Sequence, residues 1–444
     1  MEKICETSKC TGCSLCADVC KHGAISMQED GNGFIVPVID QYKCINCGLC
    51  KKFCPISSPE RVQRNNVRDL NVYEAWAASD DIRMKSSSGG VFGQLAYDVL
   101  KERGVAFGVA FDGLKAYHTA VIDVSDLPHI QDTKYVQSYA SGAYISTYKF
   151  LKDGKRVVFS GTPCQVAACK SYLHNKEYCG DLLTIEVVCH GVPSYLALKQ
   201  SLKYVGACRV KSFRNKKRGW GYHSQCMVYQ LPDGEETYKR REEDLFYRMF
   251  FGEKMLRSSC YSCPFACIPR VADITIGDSW GTTNTGKDET FKGLSLILIN
   301  NNKGRLWLEN NGNIKFRNTS WLQSLYINRN IYTPFPPVSM VDRITEIGKW
   351  ISKLDMKEYI DHNPLGLVEI RRKDNFLFKK MRNINRMIRK RFLDIYKSSD
   401  MSDVRYVFLL ASYRFDSWLN PKPSECYLDV KFMDVLQQIH KSKI

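Results

Sequence analysis

Cys10, Cys13, Cys16 and Cys20 form one C-x2-C-x2-C-x3-C run, and Cys44, Cys47, Cys50 and Cys54 form a second, followed by Pro55. Thiolates at this spacing are iron–sulfur ligands. Three closely spaced sulfurs face one cube from a single tight loop, and the fourth of each run reaches the other cube. The pattern predicts two [4Fe–4S] clusters, one on Cys10, Cys13, Cys16 and Cys54, the other on Cys44, Cys47, Cys50 and Cys20. Zinc sites pair C-x2-C units and need no third and fourth cysteine at this spacing. Disulfides need an oxidising compartment, and MEKICETSKC runs into the first motif with nothing that resembles a signal peptide. The expectation is a cytoplasmic chain that moves electrons one at a time.

Later cysteines fall in three segments. GTPCQ puts Cys164 at a strand-to-helix turn, VVCHGVPS puts Cys189 at a strand end, and CYSCPFAC holds Cys260, Cys263 and Cys267. A C-x2-C loop with two remote cysteines closes a tetrahedral set that suits a third [4Fe–4S] cluster; the competing reading of CYSCPFAC is a structural zinc site. Cys5, Cys169, Cys179, Cys208, Cys226 and Cys426 stand singly and read as small hydrophobes. SSSGG, ending at Gly90, leads from a strand into a helix. There, small residues let backbone N–H groups meet a phosphate, although serine is also an ordinary helix cap. The turn at Gly161 and Thr162 has the same character. Clusters pass single electrons, whereas organic substrates exchange pairs, and flavin converts between the two.

The elements that must carry these residues alternate. YEAWAAS reads as a strand from about residue 72. VFGQLAYDVLKERG is a helix ending at Gly104, VAFGVAFD a strand, and Tyr144–Lys152 a helix. RVVFSGTPCQVAACKSYL reads strand, turn, helix, and LLTIEVVCHGVPS reads strand and then a turn into a helix at Tyr195. ADITIG and Leu294–Asn300 add short strands. FIVPVID supplies a strand between the cysteine runs, and Ile56–Asn71 reads as a polar linker. Strands alternating with helices predict α/β construction.

Taken in order, SSSGGVF, KYVQS, FSGTPCQVAACKSYL, EVVCHGVPS, FRNKKRGW, CYSCPFAC and ADITIGDSWG resemble the beta subunit family of coenzyme F420 hydrogenases and dehydrogenases, in its bacterial branch, with a dicluster ferredoxin in front. The resemblance spans about residues 1 to 340. It implies FAD, with Ser87, Ser88, Gly89, Gly90, Lys134, Gln137, Gly161 and Thr162 as binding residues. It also implies a third cluster on Cys164, Cys189, Cys260 and Cys263, with Cys267 competing for one place. Members move electrons between that cluster and a deazaflavin or another acceptor, and bacterial relatives are associated with polysaccharide biosynthesis. His190, Asp273 and Asp278 are candidate proton donors beside a flavin; turn and cap roles are the plainer reading. Arg214, Lys216, Lys217 and Arg218 beside Trp220 read as a flavin-pyrophosphate or donor contact, or as a solvated loop.

The chain has 444 residues and a net charge of +17, much of it in RRKDNFLFKKMRNINRMIRKRFLDIYK. There Leu377, Met381, Ile384, Ile388 and Ile395 fall near one helical stripe. Such a helix lies on an anionic membrane, grips an acidic partner, or packs on the body with its basic face in water. No RNA-recognition motif accompanies the charge, so nucleic acid is not expected. The expected fold is therefore mixed, α+β in front and α/β behind. A small dicluster ferredoxin-like domain (1–62) precedes an α/β flavin-binding body (63–150 and 151–340, the second part with the third iron–sulfur site) and a basic, mainly helical tail (341–444). Two functions fit. One is an iron–sulfur flavoenzyme that oxidises or reduces a small organic substrate or deazaflavin-like cofactor. The other is a non-catalytic subunit that relays electrons to a partner enzyme. Either requires a redox partner protein or a small-molecule electron donor or acceptor.

Overall fold

The computed structural model describes residues 3–334 except 217–219, 221–223, 254, 281–290, 320–323, 325–327 and 333. The basic tail, with Cys426, lies outside the described residues.

Each ferredoxin cysteine run closes into a loop that ends in a short helix, α1 (Leu15–Asp18) and α2 (Leu49–Phe53). Between them β1 (Ile25–Glu29) and β2 (Ile35–Ile39) pair antiparallel, Ile25 opposite Ile39. FIVPVID predicted only the second of these strands. Gly12 shows why the first cysteine loop docks so closely. Its φ is +64°, and an added Cβ would sit 2.4 Å from Gln137 Nε2 and 2.5 Å from Ile35 O, so only glycine fits both the backbone and the space.

The body begins with β3 (Asn71–Ala77), α3 (Asp80–Met84) and α4 (Val91–Lys101). It continues through β4 (Val105–Phe111), β5 (Ala116–Val121), α5 (Leu127–Ile130), β6 (Ser138–Tyr139) and α6 (Ala143–Lys152). Next come β7 (Arg156–Gly161), α7 (Pro163–Leu173), β8 (Asp181–Val187) and α8 (Tyr195–Val205). Three strands, β9 (Arg209–Ser212), β10 (Cys226–Gln230) and β11 (Glu236–Arg240), then form a separate antiparallel sheet in the order β11-β10-β9. After α9 (Leu245–Phe251), the strands β12 (Ile274–Asp278), β13 (Ser295–Ile299) and β14 (Ile314–Asn318) return to the body, with α10 (Asn302–Glu309) between the last two.

Among the described residues, nine strands make one mixed sheet in the order β14-β3-β13-β12-β8-β7-β4-β5-β6. Strands from 63–150 and from 151–340 interleave in it. Its centre, β12, β8, β7 and β4, is parallel, and these strands carry apolar side chains on both faces, as doubly covered parallel strands must. Val158, Leu183 and Ile185 pack with Leu95 and Val99 of α4 and with Trp307 and Leu308 of α10. On the opposite face Val157 and Phe159 pack with α6 and α7, and the same core continues into Leu15, Val19 and Ile25 of the cysteine-rich module. The order of layers is helix, sheet, helix, dicluster.

The segment read as a linker is a strap. Arg61 donates to the carbonyl of Ser171, Arg64 to those of Pro264 and Pro269, and Asn65 to that of Ala272. Its polar composition, which suggested solvent, serves backbone carbonyls of the body instead.

Candidate functional site

The cysteine-rich module brings its eight cysteines together in two groups, each with three from one run and one from the other. Cys20 borders the same small cavity as Cys44, Cys47 and Cys50. Cys13 and Cys16 both feel the Cys54 thiol, and Cys16 that of Cys10. Cys5, read from sequence as a bystander, hydrogen-bonds to Cys10 and Cys54. That bond raises its own pKa and is the chief reason why Cys10 and Cys54 are held down at about 6.

The body adds four more thiols from three places. β7 and β8 run parallel, with Gly161 opposite Glu186, so both strands deliver their cysteines at one end of the sheet. Cys164 sits in the first turn of α7, whose N-terminus is fixed by a Thr162–Gln165 capping box and by Pro163. Cys189 follows β8. Cys260 and Cys263 come from a 3-10 turn, Ser258–Ser262, and its end. Cys164, Cys189, Cys260 and Cys263 line one cavity of about 40 Å³ together with Thr11 and Ser259. Burial, and then the neighbouring thiols, push Cys189 up and Cys263 to about 12. The amide of Val192 donates to Cys260 Sγ at 3.3 Å, and Thr162 Oγ1 lies 3.1 Å from Cys164 Sγ.

Cys267 does not reach this cavity. Its sulfur accepts from Arg64 Nη1 at 2.8 Å and donates to the carbonyl of Pro264 at 3.2 Å. The loop itself hangs on a buried ion pair. Arg270, bonded through Nε to Glu186 Oε1, also holds the carbonyls of Phe265 and Ile331 at 2.9 Å, and both charged side chains are fully buried.

A larger cavity, about 310 Å³, opens beside the four thiols at the carboxyl ends of β7, β8 and β12, where open α/β sheets bind ligands. Cys164, Cys189, His190 and Thr11 border both cavities. Ser87, Ser88, Gly90, Lys134, Gln137, Gly161 and Thr162 all line the larger one. Gly89 does not. Its N–H donates to Ser295 Oγ at 3.0 Å, and a Cβ there would meet Ala75 O at 2.4 Å; it is glycine because α4's entry crosses β3 and β13 at contact distance. Gln137 spends its amide on the carbonyls of Thr11 and Gly12 and on Arg257. The Lys134 ammonium bonds to the carbonyls of Gln131 and Asp132, and burial lowers its pKa to about 8.

The FRNKKRGW segment is not solvated where it is described. Arg214 is buried and bridges Asp278 at 2.6 Å, the Tyr135 hydroxyl at 2.7 Å and the carbonyl of Ser87 at 3.0 Å. Lys216 Nζ gathers the carbonyls of Arg83, Ser86 and Ser88, fixing the loop before α4. Lys217 and Arg218 lie outside the described residues. Of the candidate proton donors, Asp273 is a structural acceptor for Thr184 and Asn301 away from the cavity. Asp278 is tied to Arg214, while His190 stays on both cavity walls with Nε2 3.2 Å from the carbonyl of Phe250. Sequence reading overlooked Tyr135, Asp132 and Ser259. Tyr135 lay inside KYVQS, but only the Arg214 contact gives its hydroxyl a role. Asp132 occupies left-handed backbone (φ 65°) and accepts from Ser87 and Ser212, a pairing across the sequence that no local pattern reveals.

This is an electron-transfer architecture: an iron–sulfur module built onto an α/β body, with a further thiol set between the module and a ligand-sized cavity. Residues 9–58 match the 4Fe-4S dicluster domain, and residues 154–320 match the C-terminal region of the coenzyme F420 hydrogenase/dehydrogenase beta subunit. The chain thus joins the C-terminal region of that beta subunit family to a 4Fe-4S dicluster domain in front. Its N-terminal part is 43% identical over 56 residues (11% of the chain) to ferredoxin-like proteins in the nif region of Trichormus variabilis and Trichormus azollae, and spans 45% of their length. It is 36% identical over 58 residues, 13% of this chain and 74% of the other, to an uncharacterized ferredoxin of Methanocaldococcus jannaschii. A chain of the F420-reducing [NiFe] hydrogenase complex from Methanosarcina barkeri aligns with 69% of this chain and 95% of its own, at a TM-score of 0.40 and 15% identity.

Proposed function

We propose that this chain is an iron–sulfur flavoprotein oxidoreductase. In this reading the dicluster module exchanges single electrons with a donor or acceptor. A third [4Fe–4S] cluster on Cys164, Cys189, Cys260 and Cys263 joins the module to FAD in the larger cavity, and a small organic molecule or deazaflavin-like cofactor is oxidised or reduced there. The carrying observation is that Cys164 and Cys189 border both the four-thiol cavity and the larger one.

The four-thiol cavity fits a cube on its own chemistry. The thiols surround a space, and among the described residues no three His, Cys, Asp or Glu side chains converge on one point as a single zinc ion requires. The buried Ser259 hydroxyl on its wall has no partner among the described residues, which leaves it available to a cluster sulfur. Cys164 lies in the first turn of α7, where the helix end favours negative charge.

The larger cavity fits a flavin nucleotide in kind. Valines 91, 109, 136, 187 and 188 supply apolar wall. α4 starts at Gly90 with no side-chain cap, so its first N–H groups are open to an anion. The self-capped α7 is not open in that way. Flavin supplies the change from one- to two-electron chemistry. The protein's own work is to hold the Ser86–Ser88 loop through Lys216 and Arg214, to tie Asp278 to Arg214, and to present the Tyr135 hydroxyl, which accepts from Arg214, to whatever binds.

The test is composition. Anaerobically purified protein offered excess FAD is expected to hold about twelve irons, in three cubes, and about one flavin per chain. Eight irons with zinc in the Cys260–Cys267 loop, or no flavin, would refute the reading.

A further inference from the structure

The cavity bordered by Cys20, Cys44, Cys47 and Cys50 is lined by residues of the cysteine-rich module alone, and Cys47 is solvent-exposed. Around it stand Tyr42, fully exposed, and Ile45, 62% exposed. Lys21 adjoins Cys20, Lys43 adjoins Cys44, and Lys51 and Lys52 follow Cys50; all four are exposed. Asp40 pairs with Lys43 at 3.3 Å; no carboxylate pairs with Lys21, Lys51 or Lys52 among the described residues. The other thiol sets adjoin the body: Cys54 is buried in the core shared with α7, and Cys164 and Cys189 share a cavity wall with Thr11. A small apolar centre in a basic ring, over the outermost cluster ligands, is an interface for a brief electrostatic encounter.

We infer that this face docks a small acidic one-electron carrier protein, and that its contact residues are Lys21, Tyr42, Lys43, Ile45, Lys51 and Lys52. The inference rests on the dicluster part of the proposed function and not on the flavin. One electron passes per encounter: a carrier in its reduced state is oxidised by one electron and the cluster on Cys20, Cys44, Cys47 and Cys50 is reduced by one, with no bond made or broken. An anionic membrane or nucleic acid would meet the same lysines, but neither gives a reason for cluster ligands at the centre of the patch. The charge of the whole chain, +17, adds long-range attraction for the same partner.

The test uses the full chain, prepared without oxygen, and an acidic plant-type [2Fe–2S] ferredoxin as the probe. Binding is measured by calorimetry, and electron arrival by stopped-flow bleaching of the clusters. Compared are wild type, a Lys43→Glu/Lys51→Glu/Lys52→Glu variant, and a Lys152→Glu/Lys155→Glu/Lys203→Glu variant with the same change in net charge on α6, the turn after it and α8. Binding and rate should fall with salt, and the first variant should lose about tenfold or more in both while the second loses much less. Tyr42→Ala with Ile45→Ser, which keeps every charge, should weaken binding without changing its salt dependence. Equal losses in both lysine variants, or none in the first, would overturn the inference. So would binding of phosphatidylserine vesicles that depends on Lys43, Lys51 and Lys52 when ferredoxin does not bind. Iron content and bleaching by dithionite, read on the same samples, separate these outcomes from a failure of the dicluster itself.

Discussion

Arg257 is a cation with no carboxylate partner among the described residues, and its charge acts on two of the thiol sets. It is 4% exposed. Nη2 donates to Ile35 O and Gln137 Oε1, both at 2.6 Å, and Nη1 to Cys10 O at 3.3 Å. Its charge favours the thiolates of both Cys10 and Cys164. A reduced cube carries one more negative charge than an oxidised one, so a fixed cation nearby favours reduction. At an effective dielectric of about 20 and a separation of roughly 8 Å, a unit charge contributes about 2 kcal/mol. For a one-electron couple that is about 90 mV. Arg257→Met should therefore lower the midpoint potentials of the Cys10 and Cys164 clusters by about 50–100 mV. The outer cluster on Cys20, Cys44, Cys47 and Cys50, farther away and partly solvated, should move much less. Arg257→Lys should return most of the shift. The assay is an anaerobic redox titration followed by electron paramagnetic resonance, with iron counted in each sample. Unchanged potentials at full iron content, or one uniform shift in all three clusters, would refute the charge argument.

Glu186→Gln should cost about 3–5 kcal/mol in an anaerobic urea titration, because it leaves Arg270 charged and buried; a loss under about 1 kcal/mol would mean that the pair does not anchor the Cys260–Cys267 loop. His118 is buried, bonded to Ser138 and Ser160 on the cavity wall, and burial lowers its pKa from 6.5 to about 4. Its contribution is complete above the unfolded value and is lost as pH falls from 6.5 towards 4, on the order of 3 kcal/mol in all; a His118→Gln variant should show a flatter stability profile over that window. Gly89→Val should lower flavin content, because its side chain collides with β3 and β13 and displaces the entry to α4; unchanged flavin would show that α4's start is not needed for binding.

What the sequence made legible was what chemistry imposes locally. Crossed cysteine runs have one geometric solution, and β7, β8 and β13 are short continuous apolar runs bounded by turn residues, so both the dicluster and the strand ends bearing Cys164 and Cys189 could be read in advance. The rest depends on contacts distant in sequence. Cys5 gained meaning only when Cys54 folded back beside Cys10. Cys267 matched Cys260 and Cys263 in spacing, yet Arg64, about 200 residues earlier, holds it away. Asp132 and Tyr135 belong to the cavity through Ser87 and Arg214. Gly89 looked like a phosphate glycine because its neighbours are serines, whereas the sheet beneath it sets its identity.

The central claim is that Cys164, Cys189, Cys260 and Cys263 connect the dicluster module to the larger cavity. The most direct measurement is rapid mixing of FAD-loaded, anaerobic wild type and Cys189→Ala with a reductant that enters at the dicluster, following cluster and flavin absorbance separately. Cys189→Ala is expected to hold about eight irons in place of about twelve, to reduce its dicluster at the wild-type rate, and to pass electrons to the flavin at least about a hundredfold more slowly. Flavin reduction at the wild-type rate in a variant that has lost those irons would contradict it.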